Sequence, residues 1–135
     1  MKTDWSMVNN FKEKEFSRPG MLSSALIYNV DNLRDFLGKS IHIHCDYEER
    51  ATGGYHPVGM ALDIHADDTH WFDLFLAASR FDMFNGIGCY PSWNSPGIHI
   101  DIRPKIHMYE RDARWLCSSA GVYTKLSADN IKKYL

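Results

Sequence analysis

Apolar residues recur at helical spacing in two segments of the chain. The first set is Leu22, Leu26, Val30, Leu33 and Leu37. Gly38 follows where a C-terminal cap belongs, so the pattern predicts a helix over 22–37 with one face in the core. The second set is Leu74, Ala77, Ala78 and Phe81. It predicts a helix over 73–84 that ends at the turn-forming pair Asn85-Gly86.

Three other segments alternate between apolar and polar residues, which is typical of strands with one buried face. They are 40–45, 60–65 and 97–103. In the last of them, isoleucines alternate with His99 and Asp101, so the polar side chains share one face of the strand. We therefore expect a sheet with helices on its apolar face and histidines and aspartates on the other.

The chain has the length of one ordinary domain. Its 135 residues are enough for one sheet-and-helix core, and they include no repeat, low-complexity tract or linker. We predict a single α+β domain over 10–135 with a small, mainly antiparallel sheet. Residues 1–9 are predicted to be a flexible tail.

Charge and hydropathy argue against several kinds of partner. The net charge is -2 and no block of Lys and Arg occurs, which disfavours nucleic acid and anionic membranes. No segment approaches the roughly 20 apolar residues needed to cross a bilayer, so we expect no membrane insertion. The first residues lack the apolar run of a signal peptide. We expect a monomer made in the cytoplasm, which would need a separate route of delivery to act outside it.

The cysteines do not form a recognisable site. Cys45, Cys89 and Cys117 are odd in number and widely spaced, without a CxxC pair. This pattern argues against a disulfide framework and against a cysteine zinc finger. We predict three free thiols.

The polar face carries groups that bind transition metals. A catalytic zinc site uses three protein ligands with nitrogen and oxygen donors. Asp63 and His99 lie on predicted strands and meet if those strands are neighbours, while His56 reaches the same point from the preceding loop. Spacing alone does not select this set, because His42 and His44 form an i, i+2 pair that could equally bind a metal.

Three motifs together resemble a known family. Residues 56–63 have the pattern HxxGxAxD, residues 86–91 have GIGxYP, and residues 99–103 have HxDxR. In order and spacing they are similar to the small branch of the zinc D-alanyl-D-alanine carboxypeptidase family. That family includes cell-wall peptidases and phage endolysins and is related in fold to the Hedgehog signalling domain. The similarity covers about residues 10–125.

The resemblance implies a function for several residues. It implies that His56, Asp63 and His99 hold zinc, and that the protein hydrolyses a small peptide with D-residues, such as a peptidoglycan stem peptide. A turn that carries a substrate-binding arginine in relatives is altered here, and Arg50 is the candidate to bind a substrate carboxylate from a shifted position. Tyr90, with the nearby Trp93, is expected to form a wall of the cleft.

The chain departs from the family pattern at two positions near the metal ligands. Gly54 replaces a serine, and Pro96 replaces a glutamate that serves as base in larger relatives. Peptide hydrolysis requires a group that takes a proton from water and passes it to the leaving amine. Asp101 is the nearest candidate for that role, but it could equally orient His99 or pair with Arg103.

The sequence leaves open the roles of two further histidines and two other functions of the protein. His65 and His70 could stabilise an oxyanion or be solvated loop residues. The missing base also permits a non-catalytic, zinc-stabilised binding or structural module of the same fold. A third alternative is an iron site that begins with His99 and Asp101 and is completed by His107.

Overall fold

A six-stranded sheet forms the centre of the protein. The computed structural model describes residues 2–105 and 112–135, and within them the strand order is β1-β2-β4-β3-β5-β6. The strands are β1 (Ile41–Cys45), β2 (Ala61–Ala66), β3 (Gly86–Tyr90), β4 (Gly97–Asp101), β5 (Ala113–Ser119) and β6 (Val122–Lys125). Neighbouring strands are antiparallel except for β3 and β5, which are parallel. The sheet is therefore mixed, and the predicted single α+β domain is confirmed.

The first helix agrees with its predicted pattern. Helix α1 spans Ser24–Leu37, and Gly38 ends it in the left-handed conformation at φ 69°. Glycine adopts this conformation without the steric cost that a Cβ atom would impose. The residues that α1 buries include Leu26, Val30 and Leu33, the apolar stripe read from the sequence.

The second helix is shorter than predicted and begins earlier. Helix α2 spans Trp71–Ala78, because the His70 side chain accepts a hydrogen bond from the Phe72 N–H and caps its start. After Ser79 the backbone forms tight turns, in which the Phe84 N–H bonds to the Phe81 carbonyl. The prediction over 73–84 was wrong at both ends, and Gly86 begins β3 instead of a loop. A short third helix, α3, spans Ala128–Ile131.

The apolar face of the sheet packs against the helices. Four fully buried side chains of β2 and β4 form its centre: Leu62, Ile64, Ile98 and Ile100. They belong to one core with residues of α1 and α2, and α2 lies directly against β2, β3 and β4. Each such side chain contributes about 1.5–3 kcal/mol by its removal from water. On β1, Ile41 is buried as expected, whereas Ile43 is only partly buried.

The segment that was predicted to be a flexible tail lies along α1. The Thr3 hydroxyl donates a hydrogen bond to the Ser24 hydroxyl at 3.2 Å, and the Asp4 N–H donates to the Tyr28 hydroxyl at 3.0 Å. The Asp31 carboxylate accepts from the Asn9 N–H at 3.0 Å. These bonds attach the segment to the helix, while its flexibility stays a prediction.

None of the helices within residues 2–105 and 112–135 combines the length and the apolar character needed to cross a membrane.

Candidate metal centre

Strand register brings two of the predicted ligands together. Strands β2 and β4 are neighbours, and Asp63 on β2 lies directly opposite His99 on β4. Directly opposed side chains are close enough to contact one another. Asp63 Oδ1 is 3.1 Å from His99 Nδ1, so the two groups meet on the polar face of the sheet.

The third predicted ligand comes from the turn that precedes β2. His56 begins a 3-10 turn over His56–Val58, and its side chain is only 2% exposed. Its Nε2 atom lies 3.3 Å from the same Asp63 oxygen. The rings of His56 and His99 approach edge to face, with centroids 5.2 Å apart. The structure thus gathers His56, Asp63 and His99 around one carboxylate oxygen.

The protons on the two imidazole rings can be assigned from their other partners. His56 Nδ1 is 2.7 Å from the Asp46 carbonyl oxygen, which can only accept, so Nδ1 carries the hydrogen. His99 Nε2 is 2.7 Å from Asp101 Oδ2, a carboxylate oxygen that also accepts. When the two rings are neutral, His56 Nε2 and His99 Nδ1 therefore direct their lone pairs toward Asp63.

Two of the distances in this donor set match the spacing of ligands around a divalent metal ion. Two lone pairs and a carboxylate that face one another repel unless a proton or a metal ion lies between them. Zinc bonds of 2.0–2.2 Å in a tetrahedron place neighbouring ligand atoms about 3.3 Å apart. The distances of 3.1 and 3.3 Å from Asp63 Oδ1 to the two imidazole nitrogens match that spacing.

Hydrogen bonds among these side chains shift their pKa values. Burial by itself lowers the pKa of His56, but its hydrogen bonds with Asp63 and Cys45 outweigh that effect and raise the pKa to about 9. Burial acts to raise the pKa of Asp63, but the hydrogen bonds from His56 and His99 lower it to about 2. For His99 the hydrogen bonds to Asp101 and Asp63 likewise overcome burial and raise the pKa. A bound metal ion would replace these protons.

Asp101 lies behind the His99 ring and is completely buried. Arg103 holds it with a two-pronged contact, from Nε to Oδ1 at 2.8 Å and from Nη2 to Oδ2 at 2.7 Å. Burial acts to raise the pKa of Asp101, but the bonds from Arg103 and His99 keep it well below its usual range. Its contact with His99 is at the ring nitrogen remote from Asp63. Of the roles considered from the sequence, this geometry favours orientation of His99 over proton transfer.

Two glycines of the GIGxYP motif leave room for neighbouring side chains. A Cβ atom at Gly86 would lie 2.4 Å from both carboxylate oxygens of Asp101. At Gly88 it would lie 2.2 Å from Trp115 Nε1. The Trp115 ring packs against His99, with centroids 5.2 Å apart. The motif therefore lets β3 pass close beneath the groups that support the metal centre.

Cys45 lies beside the candidate metal centre, and the sequence analysis did not identify it as a possible ligand. An irregularity in β1 between Ile43 and Cys45 places Cys45 opposite Asp63. Cys45, His56 and Asp63 each place a potential ligand atom within 4.8 Å of the others. The sequence signal that could have identified it is the position of a cysteine at the end of a predicted strand. All three cysteines are free thiols, and burial raises the pKa of Cys89 to about 12.

The two predicted substrate-binding residues lie near the centre but have partners within the protein. Arg50 Nη2 is 2.7 Å from Glu48 Oε2 and 3.9 Å from Cys45 Sγ. The Tyr90 hydroxyl accepts a hydrogen bond from Trp115 Nε1 at 3.1 Å. Substrate contact by either residue stays a prediction.

A shallow, open cleft of about 480 Å³ lies beside the candidate metal centre. Its lining residues are His44, Asp63, His65, Trp93, Asn94 and Ser95. The Asp63 side chain is 16% exposed, and Trp93 stacks on Tyr90 with ring centroids 4.3 Å apart. Of the two histidines considered for oxyanion stabilisation, His65 lines this cleft, whereas His70 caps α2. His107, which the iron-site alternative requires, lies outside the described residues.

Comparisons of the chain with protein-family models, curated proteins and solved structures found no match.

Proposed function

We propose that this protein is a zinc-dependent peptidase that hydrolyses a peptide bond in a small peptide with D-amino acids, such as a peptidoglycan stem peptide. One observation carries the proposal: His99 Nδ1 and His56 Nε2 lie 3.1 and 3.3 Å from the same Asp63 oxygen. The zinc D-alanyl-D-alanine carboxypeptidase family, which the three sequence motifs resemble, supplies the substrate class.

The cleft supports a catalytic centre over a purely structural one. A structural zinc site is closed by four protein ligands, whereas a catalytic site has three and one open position. Asp63 is both a candidate ligand and a lining residue of the cleft. A substrate in the cleft would therefore lie directly beside the metal ion.

The chain holds its ligands in place before any metal binds. The Asp46 carbonyl orients His56, and Asp101 orients His99 while Arg103 neutralises the buried carboxylate. Such outer partners fix the tautomer and direction of an imidazole ligand. A bound zinc ion polarises a carbonyl oxygen and lowers the pKa of a water molecule to about 7.

We assign proton transfer to His44, which lines the cleft beside Asp63. Asp101 is fully buried, with both oxygens engaged by Arg103 and His99. His44 and His65 instead line the cleft next to Asp63. Burial lowers the pKa of His44, so its ring is mostly neutral near pH 7 and can accept a proton.

Substrate recognition would use an aromatic pair and an arginine near the cleft. The stacked rings of Tyr90 and Trp93 offer an apolar wall. Arg50 can bind a carboxylate in two-pronged fashion, provided that the substrate displaces Glu48 from its guanidinium group.

A second function is supported by the position of Cys45. With His56 and Asp63, Cys45 forms a possible group of metal ligands. A thiolate in the fourth position would close the site. The protein would then be a non-catalytic module that zinc stabilises.

Metal analysis combined with a hydrolysis assay separates the two functions. Purified protein is incubated with peptidoglycan, and released amino groups are measured with zinc, with a chelator, and after zinc is restored. We expect release that the chelator abolishes and zinc restores, and no release by His99→Ala. One tightly held zinc ion per chain without any release would instead support the non-catalytic module.

A further inference from the structure

Three histidines form a row at the edge of the sheet, outside the ligand set of the metal centre. His42 on the edge strand β1 lies opposite His65 on β2, and their rings stack with centroids 4.8 Å apart and an interplanar angle of 22°. His44 follows on the same strand, with its ring centroid 4.5 Å from that of His65. His44 Nε2 and His65 Nδ1 are in direct contact.

A carboxylate completes this cluster. Asp67 directly follows β2, and its Oδ1 atom lies 2.8 Å from His42 Nε2. His42, His65 and Asp67 each offer a potential ligand atom within 4.8 Å of the other two. The contact of 2.8 Å between Asp67 and His42 is close to the spacing of neighbouring ligands around a zinc ion.

We propose that His42, His65 and Asp67 bind a second divalent transition-metal ion. Imidazole nitrogens favour zinc, copper and nickel, whereas magnesium and calcium prefer sites made of oxygen atoms.

The second site differs from the first in exposure and in its ligands. The side chains of His42 and Asp67 are 49% and 55% exposed, so water can occupy the remaining positions around the ion. His56 and His99 are mostly buried, and none of the three ligands in the centre is shared with the second site. We therefore expect the second ion to bind independently and more weakly than the first.

The position of the second site connects it to the cleft. His65 and His44 line the cleft together with Asp63. An ion held by His65 would thus stand at the rim of the cleft, where it adds positive charge beside the proposed substrate.

Zinc titration of the metal-free protein tests this proposal without any assay of activity. We expect equilibrium dialysis to give two ions per chain, the second at least tenfold weaker. The second equivalent should shift the imidazole NMR signals of His42 and His65 and leave those of His70 unchanged. His42→Asn and Asp67→Asn should each reduce the stoichiometry to one.

Two matched variants control for the loss of an imidazole or a carboxylate elsewhere. His70→Asn retains a side chain able to cap α2, and Asp82→Asn changes an exposed aspartate; both should still bind two ions. His99→Ala should lose the tight ion and retain the weak one, which separates failure of the metal centre from failure of the second site. A wild-type protein whose zinc stoichiometry is unchanged by His42→Asn and by Asp67→Asn would overturn the proposal.

Discussion

His99 Nε2 and Asp101 Oδ2 lie 2.7 Å apart, on the side of the imidazole ring that faces away from Asp63. The two residues can meet because side chains two positions apart on a strand share a face. Arg103 then fixes Asp101 through both of its carboxylate oxygens. The HxDxR motif thus places a candidate ligand, its orienting carboxylate and the counter-ion of that carboxylate on one face of the chain.

Loss of one candidate ligand should remove the stabilisation that comes from the tightly bound zinc ion. For a wild-type protein with zinc at 100 times its Kd, binding stabilises the native state by about 2.7 kcal/mol. His56→Ala and His99→Ala should lose this stabilisation, because two ligands remain where three are needed. Thermal unfolding with zinc and with chelator measures the difference for each protein. Unchanged content of the tightly bound zinc in either variant would contradict the ligand set.

Asp101→Asn should weaken zinc binding by about 10- to 100-fold, as loss of an orienting partner does in other zinc sites. Arg103 would also lose its buried counter-charge, so we expect the free energy of unfolding to fall by roughly 3 kcal/mol. Competition with a chromophoric chelator gives the zinc affinity, and urea denaturation gives the stability. If the protein hydrolyses peptides as proposed, the Asp101→Asn variant should still do so at saturating zinc. Normal zinc affinity with no hydrolysis would identify Asp101 as the base.

Gly88→Ala should destabilise the protein by about 1–3 kcal/mol, the usual range for overpacking. The added Cβ atom would lie 2.2 Å from Trp115 Nε1, and the ring cannot move without disturbing His99. Gly20→Ala is the matched control, since no atom lies within 4 Å of a Cβ at that position. Urea denaturation of both variants checks the prediction, and equal stability of the two would contradict it.

Cys45→Ser distinguishes an open metal centre from a closed one. For the open centre we expect the affinity for the first zinc ion to change less than about threefold, well below the 10- to 100-fold effect of losing a supporting partner. Cobalt-substituted wild-type protein should also lack the absorption of a thiolate ligand. Cys117→Ser serves as the control for removal of a thiol. A large loss of zinc affinity in Cys45→Ser alone would support the closed, non-catalytic module.

The contact between Glu48 and Arg50 should compete with substrate. If Arg50 binds a substrate carboxylate, Arg50→Ala should raise KM about tenfold or more, since hydrogen bonds to charged groups contribute about 1.5–3 kcal/mol. Glu48→Gln should lower KM, because it removes the competing negative charge. Peptides with an amidated C-terminus are the control and should respond to neither change. Equal KM values in all three proteins would exclude Arg50 from recognition.

Periodicity along the chain was sufficient for much of the architecture. The stripe that ends at Leu37 identified α1, and alternation identified β1, β2 and β4 because each has one apolar face. The same alternation placed Asp63 and His99 on the polar face. These features depend only on neighbours in sequence, which is why they could be predicted.

Long-range pairing decided the remaining features. The glycines of β3 give no strand signal, and that strand exists because it pairs with β4 on one side and with β5 on the other. The irregularity that brings Cys45 to Asp63 likewise depends on the partner strand. Alternation predicts which face of a strand a side chain occupies. The contact between Asp63 and His99 also depends on the order and register of the strands. Contacts between distant parts of the chain determine that order and register.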